Sequence, residues 1–179
     1  MAKLLYSATM SLDGFIAGAG GDMSWLTKYL GPNPMVDDIV NEIGALLVGN
    51  RTFRGDDPNK GTPKEGPFGG EWNGPQFVLT RHVPDTPVPG ITFVDDLDRA
   101  VAAAKAAAGD KYVNVLGANV AKQCLDAGVL DEILVLIAPL LLGDGVRLFE
   151  RPGGTNVELE RLSVGHTPNA TSIWCRVVR

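Results

Sequence analysis

The sequence has 179 residues, 45% of them hydrophobic, with 21 acidic and 16 basic side chains and a formal net charge of -5. This length and apolar content suit one domain with a substantial core. The acidic balance and the lack of a Lys/Arg run argue against a nucleic-acid-binding protein. Cys124, Cys175 and two isolated histidines form no ligand cluster, so we expect no metal site, no disulfides and a cytoplasmic location. No apolar stretch is long enough for a signal peptide or a membrane span.

The first half of the chain predicts alternating strands and helices. An apolar run at 4–8 predicts a buried strand, and the glycine-crowded segment after it predicts a long mobile loop closed by Trp25. Apolar residues from Val36 to Ile43 recur at helical spacing, and a buried strand at 45–48 follows. Residues 54–75, rich in glycine and proline, predict a surface loop.

The second half continues this pattern and ends differently. Strands are predicted at 76–80, 91–94, 112–116 and 132–137. A helix at 97–108 would be capped by Asp95 or Asp96 and stopped by Gly109, and another helix is predicted at 120–127. Alternating segments at 157–164 and 171–178 predict an antiparallel hairpin. One α/β domain over 1–179 follows, with a mostly parallel sheet and helices on both faces.

Three predicted strand ends carry residues suited to binding a phosphate. Gly117 ends one strand before a helix, where free backbone N–H groups favour an anion, although an ordinary turn is the alternative interpretation. The other ends carry Gly49-Asn50-Arg51-Thr52 and Thr80-Arg81. Ligands of open α/β sheets bind beyond such ends. Two arginines and two hydroxyls could hold a 2′-phosphate and so favour NADPH over NADH, whereas either arginine alone suits a solvated surface charge.

The segment Met10–Gly18, M-S-L-D-G-F-I-A-G, resembles the M-S-L-D-G-x-I-A signature of the dihydrofolate-reductase-like family, which includes the riboflavin-biosynthesis reductase domain. Further stretches match that family in order: Leu46–Phe53, Val78–Arg81, Leu116–Ala121 and Ile137–Gly145. The resemblance covers nearly the whole chain. It implies a three-layer α/β/α fold with a C-terminal antiparallel hairpin, and an NADPH-dependent reductase whose cofactor enters and leaves each cycle.

The resemblance also implies a cofactor site, residue by residue. Its members are Ala8, Ile16, Gly18, Gly49, Asn50, Arg51, Thr52, Leu79, Thr80, Arg81, Leu116, Gly117, Ala118, Asn119, Val120 and Ala121. Ala8 and Ile16 resemble the residues that flank the nicotinamide. The segments 49–52 and 79–81 resemble those that hold the adenosine ribose phosphate and the pyrophosphate. The glycine-rich segment 13–25 resembles the loop that closes over the nicotinamide and excludes water.

The substrate side is less defined by the resemblance. Met10, Trp25 and Phe53 are the candidate substrate-binding residues, since an aromatic ring can stack on a planar ligand, although Trp25 and Phe53 also suit a core. Asp13 is the candidate catalytic acid, and an equally good interpretation is a turn former that caps the loop.

Two departures from the family pattern bear on the substrate. Dihydrofolate reductases carry a carboxylate shortly after the loop tryptophan, and residues 26–30 contain none. Riboflavin-pathway reductases usually have a basic residue after Asp-Gly, where this chain has Phe15. We therefore expect hydride transfer to a small planar or sugar-linked heterocycle other than folate. A non-catalytic NADPH sensor and a flavin-associated partner protein are the alternatives. The apolar stretch Ile133–Leu142 favours a homodimer.

Overall fold

A mixed eight-stranded sheet forms the centre of the computed structural model, which describes residues 1–179. Its strands, with two short strands beside it, are β1 (Leu4–Ser11), β2 (Phe15–Ala17), β3 (Ile43–Gly49), β4 (Gln76–Leu79), β5 (Ile91–Val94), β6 (Tyr112–Leu116), β7 (Glu132–Ala138), β8 (Val146–Arg147), β9 (Leu159–Thr167) and β10 (Ala170–Val177). The sheet order is β5-β4-β3-β6-β1-β7-β10-β9. The six strands from β5 to β7 are parallel, and β10 and β9 are antiparallel additions. The predicted fold class is confirmed.

Four helices connect the strands. They are α1 (Pro34–Asn41), α2 (Asn50–Phe53), α3 (Leu97–Ala108) and α4 (Ala118–Asp126). The α3 helix has the predicted bounds because the Asp96 side chain accepts a hydrogen bond from the Arg99 N–H at its start, and Gly109 adopts a φ of 66° at its end. Its small residues Ala100 and Ala104 are fully buried, which lets the helix lie close to the sheet.

The core has two parts, one on each face of the sheet. On the face that we call the α3–α4 face, Tyr6 and Leu47 of the strands pack with Val101 and Val120 of the helices. On the opposite face, the α1 face, Ile39 of α1 packs with a second set of strand residues that includes Leu5, Leu46 and Leu134. Because side chains alternate along a strand, the odd-numbered residues of β1 point to the α1 face, as Leu5 does, and the even-numbered residues point to the α3–α4 face, as Tyr6 does.

Several predicted boundaries were wrong for local reasons. The first helix covers 34–41 because Asn33 caps it and Pro34 occupies its first turn, so Ile43 begins β3 instead of ending the helix. The helix predicted at 120–127 begins two residues earlier, because α4 starts at Ala118 directly after Gly117 and ends at Asp126. The hairpin loop shortens to Pro168-Asn169 between β9 and β10.

The predicted surface loop at 54–75 contains only a short 3₁₀ turn, Pro67–Gly70. It is nevertheless anchored, because Trp72 is buried and its indole N–H donates to the Ile43 carbonyl at 3.1 Å. No helix of the structure has the length and apolar character needed to cross a membrane.

The apolar stretch Ile133–Leu142, which favoured a homodimer in the sequence, does not form an exposed surface. Ile133, Leu134 and Val135 are buried in β7, between β1 and β10, and only Leu141 beyond the strand is strongly exposed. The homodimer stays a prediction without this support.

Candidate functional site

Three of the predicted binding segments meet at one edge of the sheet. The strands β4, β3 and β6 are adjacent and parallel, with Gly49 opposite Leu79 and Val48 opposite Leu116. Their carboxyl ends therefore bring the residues at 49–52, 79–81 and 116–121 side by side. Such an edge is where ligands of open α/β sheets bind.

Two arginines at this edge have no partner within the chain. Arg51 and Arg81 each lie two residues beyond the Gly49–Leu79 pair, both are exposed, and neither takes part in an ion pair. Arg54, by contrast, donates to the Asn50 side chain at 3.1 Å and holds α2 together. Two free guanidinium groups at the same sheet edge as the N-terminus of the nine-residue α4 fit a phosphate-bearing ligand.

Gly117 holds the ends of β3 and β6 close together. Its φ of 108° and ψ of 134° belong to a region that glycine alone populates readily. A Cβ atom built there would clash with the Thr52 hydroxyl oxygen and lie 3.5 Å from the Thr52 Cβ. A Cβ atom built at Gly49 would make only ordinary contacts, at 3.5 Å from Val120 and 3.7 Å from the Leu116 carbonyl oxygen. Gly117 is therefore required by the packing of its turn against α2, a reason that spacing alone did not indicate.

The turn after β4 is shaped by a buried threonine. Thr80 is 5% exposed, and its hydroxyl oxygen accepts a hydrogen bond from the His82 backbone N–H at 3.1 Å. This local bond turns the chain immediately after the strand and leaves Arg81 at the surface. The Leu79 side chain packs against the core of the α3–α4 face.

Asp13 connects two of the matched segments. Its carboxylate accepts hydrogen bonds from the Ser11 hydroxyl, from the Leu142 N–H at 3.1 Å and from the Gly143 N–H at 2.8 Å. The Ser11 hydrogen bond, followed by the two backbone bonds, lowers the pKa of Asp13 to about 2. A carboxylate that is ionised at neutral pH and already accepts three hydrogen bonds fits the interpretation of Asp13 as a turn former better than the interpretation as a catalytic acid.

Further contacts fasten the Met10–Gly18 segment to residues 138–148. The Leu12 N–H donates to the Leu140 carbonyl, and the Leu148 N–H donates to the Gly14 carbonyl, both at 2.9 Å. The strands β2, which holds Ile16, and β8 form the small second sheet. A Cβ atom at Gly145 would collide with the Ala17 backbone. The two sequence motifs are therefore two halves of one local structure.

A family model described as the RibD C-terminal domain matches residues 2–172. The chain belongs to the RibD C-terminal domain family. The match includes the strand-end segments at 49–52, 79–81 and 116–121 and the segments joined by Asp13, so the strand-end edge and the Asp13 contacts both lie within the family domain.

Individual proteins are also similar to this family member over most of its length. The uncharacterised protein YyaP of Bacillus subtilis (strain 168) is 25% identical over 159 residues, which is 82% of this chain and 80% of YyaP. A Shewanella sp. PV-4 crystal structure, provisionally described as a riboflavin biosynthesis protein, is 21% identical, covers 100% of both chains and has a TM-score of 0.74. Dihydrofolate reductase from Enterococcus faecalis, complexed with NADP(H) and RAB-propyl, is 18% identical over 98% of this chain and 95% of that one, with a TM-score of 0.63. The dihydrofolate-reductase-like fold is confirmed.

The candidate substrate residues of this family member do not all come together. Phe53 packs edge-on against Phe93 at 5.5 Å on the α1 face, whereas Met10 packs against the core of the α3–α4 face. Trp25 lies tilted against Tyr29, and its indole nitrogen is buried without a hydrogen-bond partner. The separation of Met10 and Phe53 follows from strand alternation, because Met10 has the same parity as Tyr6.

The same parity places Ala8 beside the core of the α3–α4 face. Gly18 begins the loop and donates its backbone N–H to the Asp22 carbonyl at 2.8 Å. In α4, the Asn119 side chain accepts from Gln123, and Val120 and Ala121 are buried against the sheet.

Sequence reasoning missed a row of polar side chains on β1. Ser7, Thr9 and Ser11 alternate along the strand on the α1 face, the face that also holds Phe53. Their period of two was visible in the sequence. It was masked because the apolar residues around Ser7 predicted a uniformly buried strand.

Proposed function

We propose that this member of the RibD C-terminal domain family is an NADPH-dependent reductase that transfers a hydride to a C=N or C=O bond of a small heterocycle. The observation that carries the proposal is the convergence of three parallel strand ends on two exposed arginines without ion-pair partners. A surface arginine at one strand end is ordinary, but two at adjacent ends form a binding site for an anion.

Different residues of this edge bind different parts of the cofactor. Residues 49–52 and 79–81 hold the adenosine ribose phosphate and the pyrophosphate, and the α4 start at 116–121 adds its free backbone N–H groups. Ala8 and Ile16 flank the nicotinamide. The reduced nicotinamide supplies the hydride, and the protein supplies orientation and a site without bulk water.

Asp13 acts in this proposal by positioning the loops. Its three hydrogen bonds tie the start of the glycine-rich segment 13–25 to the Leu142–Gly143 backbone. The rest of that segment reaches across to the 54–75 loop, where the Met23 N–H donates to the Asp56 carboxylate at 3.4 Å. A segment fixed at its start and lightly held at its far side suits a covering loop that opens for cofactor exchange.

Calorimetric titration of NADPH and NADH tests the proposal. Each charge-assisted hydrogen bond to the extra phosphate contributes roughly 1.5–3 kcal/mol, and the low end applies to exposed groups. We expect NADPH to bind more tightly than NADH, and Arg51→Ala and Arg81→Ala each to weaken NADPH by about tenfold with little change for NADH.

The matched control is Arg176→Ala, which removes a β10 arginine that pairs with Glu160 of β9 and should leave both affinities unchanged. Equal affinity of the parent protein for NADH and NADPH would contradict the assignment of the two arginines.

A further inference from the structure

A surface cavity of about 380 Å³ opens on the α1 face, between α1 and the strands β6, β9 and β10. Its walls include the aromatic rings of Tyr112 and Trp174 and, on the side of the helix, the apolar side chains of Met35 and Ile39. A concave surface of this size with aromatic and apolar walls suits a small ligand.

The cavity lies at the opposite end of the strands from the proposed cofactor edge. Tyr112 is the first residue of β6, whereas Leu116, the last residue of that strand, precedes the Gly117 turn. At about 3.3 Å per residue, the two ends of β6 lie about 13 Å apart. A ligand bound in the cavity would therefore occupy a site of its own.

A buried carboxylate fixes the two aromatic rings of the cavity. Glu132 is 2% exposed, and its Oε2 atom accepts hydrogen bonds from the Tyr112 hydroxyl at 3.0 Å and from the Trp174 indole N–H at 2.9 Å. Lys3 pairs with the other carboxylate oxygen at 2.9 Å and neutralises the buried charge. Burial, followed by the charge of Glu132, raises the pKa of Tyr112 to about 12, so the phenol is uncharged at neutral pH. The two rings are held edge to face, with their centroids 6.3 Å apart.

The two rings of the cavity carry no cation from the chain itself. The cation–π contacts within the chain involve the rings of Phe15 and Tyr29 instead. Because Glu132 engages the polar atom of each cavity ring, each ring offers a ligand its carbon surface. The faces of tryptophan and tyrosine rings carry negative electrostatic potential and attract cations.

Two carboxylates of α1 border the same cavity. Asp38 and Glu42 stand one helical turn apart, both are exposed, and neither takes part in an ion pair. They lie at the C-terminal end of α1, whose last turn holds no basic residue. Like charges at this spacing, next to the negative end of the helix dipole, destabilise a helix. Their placement is unfavourable for α1 alone, and a cation bound between them would relieve it.

The basic side chains near the cavity are engaged by other groups. Arg176 pairs with Glu160 at 2.8 Å, and Lys111, which does not line the cavity, donates to the Asn41 carbonyl at 2.6 Å. The charge that borders the cavity therefore comes from the two α1 carboxylates and is negative.

We propose that this cavity is a second binding site and that it takes an organic ammonium ion. The rings of Tyr112 and Trp174 contact the alkyl groups on the nitrogen, and the two α1 carboxylates balance its positive charge. Met35 and Ile39 pack against the hydrocarbon part of the ligand. An anion would be repelled by the carboxylates, and an uncharged ligand would leave them without a partner. The site is independent of the proposed reductase reaction.

Titration with choline and with its uncharged isostere 3,3-dimethylbutan-1-ol, followed by NMR at physiological ionic strength, tests the proposal. The two compounds differ only in the atom that carries the methyl groups, a nitrogen cation in choline and a carbon in the alcohol. We expect choline to bind saturably and about tenfold more tightly than the alcohol. Nuclear Overhauser contacts should connect its methyl protons to the rings of Tyr112 and Trp174.

Variants of α1 test the two carboxylates. Asp38→Asn and Glu42→Gln should each weaken choline binding by about twofold to fivefold, because an exposed carboxylate attracts a cation only modestly. Neither variant should melt below the parent, since each removes an unfavourable charge from the end of the helix. The matched control is Asp37→Asn, an exposed carboxylate of the same helix that does not line the cavity, and it should change choline affinity by less than about 1.5-fold.

Loss of the larger ring should also weaken the site. Trp174→Leu should reduce choline affinity by about fivefold or more, and if this variant does not fold, the comparison of choline with the alcohol on the parent protein still decides. Absence of choline binding, equal binding of the two compounds, or choline contacts to other parts of the protein each overturns the proposal. Asp38→Asn and Glu42→Gln variants that bind choline as Asp37→Asn does would overturn it as well.

Discussion

Substitution of Gly117 by alanine should destabilise the fold for two separable reasons. The first is the backbone, because an L residue at φ 108° and ψ 134° is strained by about 1–3 kcal/mol. The second is the clash of the new Cβ with the Thr52 hydroxyl, and overpacking of this kind costs about 1–3 kcal/mol. For a chain of this size each kcal/mol lowers the melting temperature by about 2–4 °C. The two contributions together amount to about 2–6 kcal/mol, so we expect a total drop of roughly 4–24 °C.

Two companion variants isolate these contributions. Gly128→Ala places alanine at a φ of 69° with no atom within 4 Å of the new Cβ, so it reports backbone strain without a clash. Thr52→Ala changes an exposed side chain and should be nearly neutral alone. Combined with Gly117→Ala it should recover the clash contribution and leave the strain.

Thermal unfolding of the four variants, followed by circular dichroism with and without NADPH, provides the measurement. Gly117→Ala should lose stability and NADPH affinity together, because the Thr52 turn is displaced. If Gly117→Ala melts like Gly128→Ala, or if Thr52→Ala recovers nothing, the close approach of the β3 and β6 ends is refuted.

The Asp13 carboxylate should stabilise the fold only while it is ionised. The pKa of Asp13 falls from an ordinary 3.8 to about 2, so Asp13→Asn should lower the melting temperature at neutral pH. The difference in melting temperature between the parent and this variant should shrink as the pH falls from about 4 to about 2. A difference that stays constant over this range would contradict the role of the carboxylate. Reduction of dihydrofolate, followed by NADPH oxidation, should be poor because no carboxylate follows Trp25, and turnover like that of a dedicated enzyme would refute this. Burial raises the pKa of Cys124 to about 12, so only the partly exposed Cys175 should react with Ellman's reagent before unfolding, and two reactive thiols in the native protein would count against the core described.

The strand ends were predictable because parallel strands share a direction. Gly49, Arg51, Arg81 and Gly117 follow apolar runs in the sequence, and parallel pairing then places such ends at one edge. The bounds of α3 were predictable for a local reason, since cap and stop residues act within a few positions.

The small sheet of β2 and β8 could not be predicted from local pattern. It is three residues against two, and it exists because distant backbone groups meet, such as the Leu148 N–H and the Gly14 carbonyl. The role of Asp13 was open for the same reason, since two of its donors lie about 130 positions further along the chain.

The polar row shows a different limit. Ser7 and Asn114 each stand among apolar residues, and neither segment alone indicates that they meet. Their contact depends on the β1–β6 register, which follows from the whole sheet.

Hydride transfer from labelled NADPH tests the central claim most directly. The protein would be incubated with NADPH carrying deuterium at one of the two prochiral C4 positions and with small heterocycles that carry a C=N or C=O bond, and the products analysed by mass spectrometry. We predict that deuterium from one of the two positions only appears in a reduced heterocycle, and that the corresponding NADH transfers it far more slowly. Tight NADPH binding with no deuterium transfer to any heterocycle would contradict the account and identify a binding protein instead of a reductase.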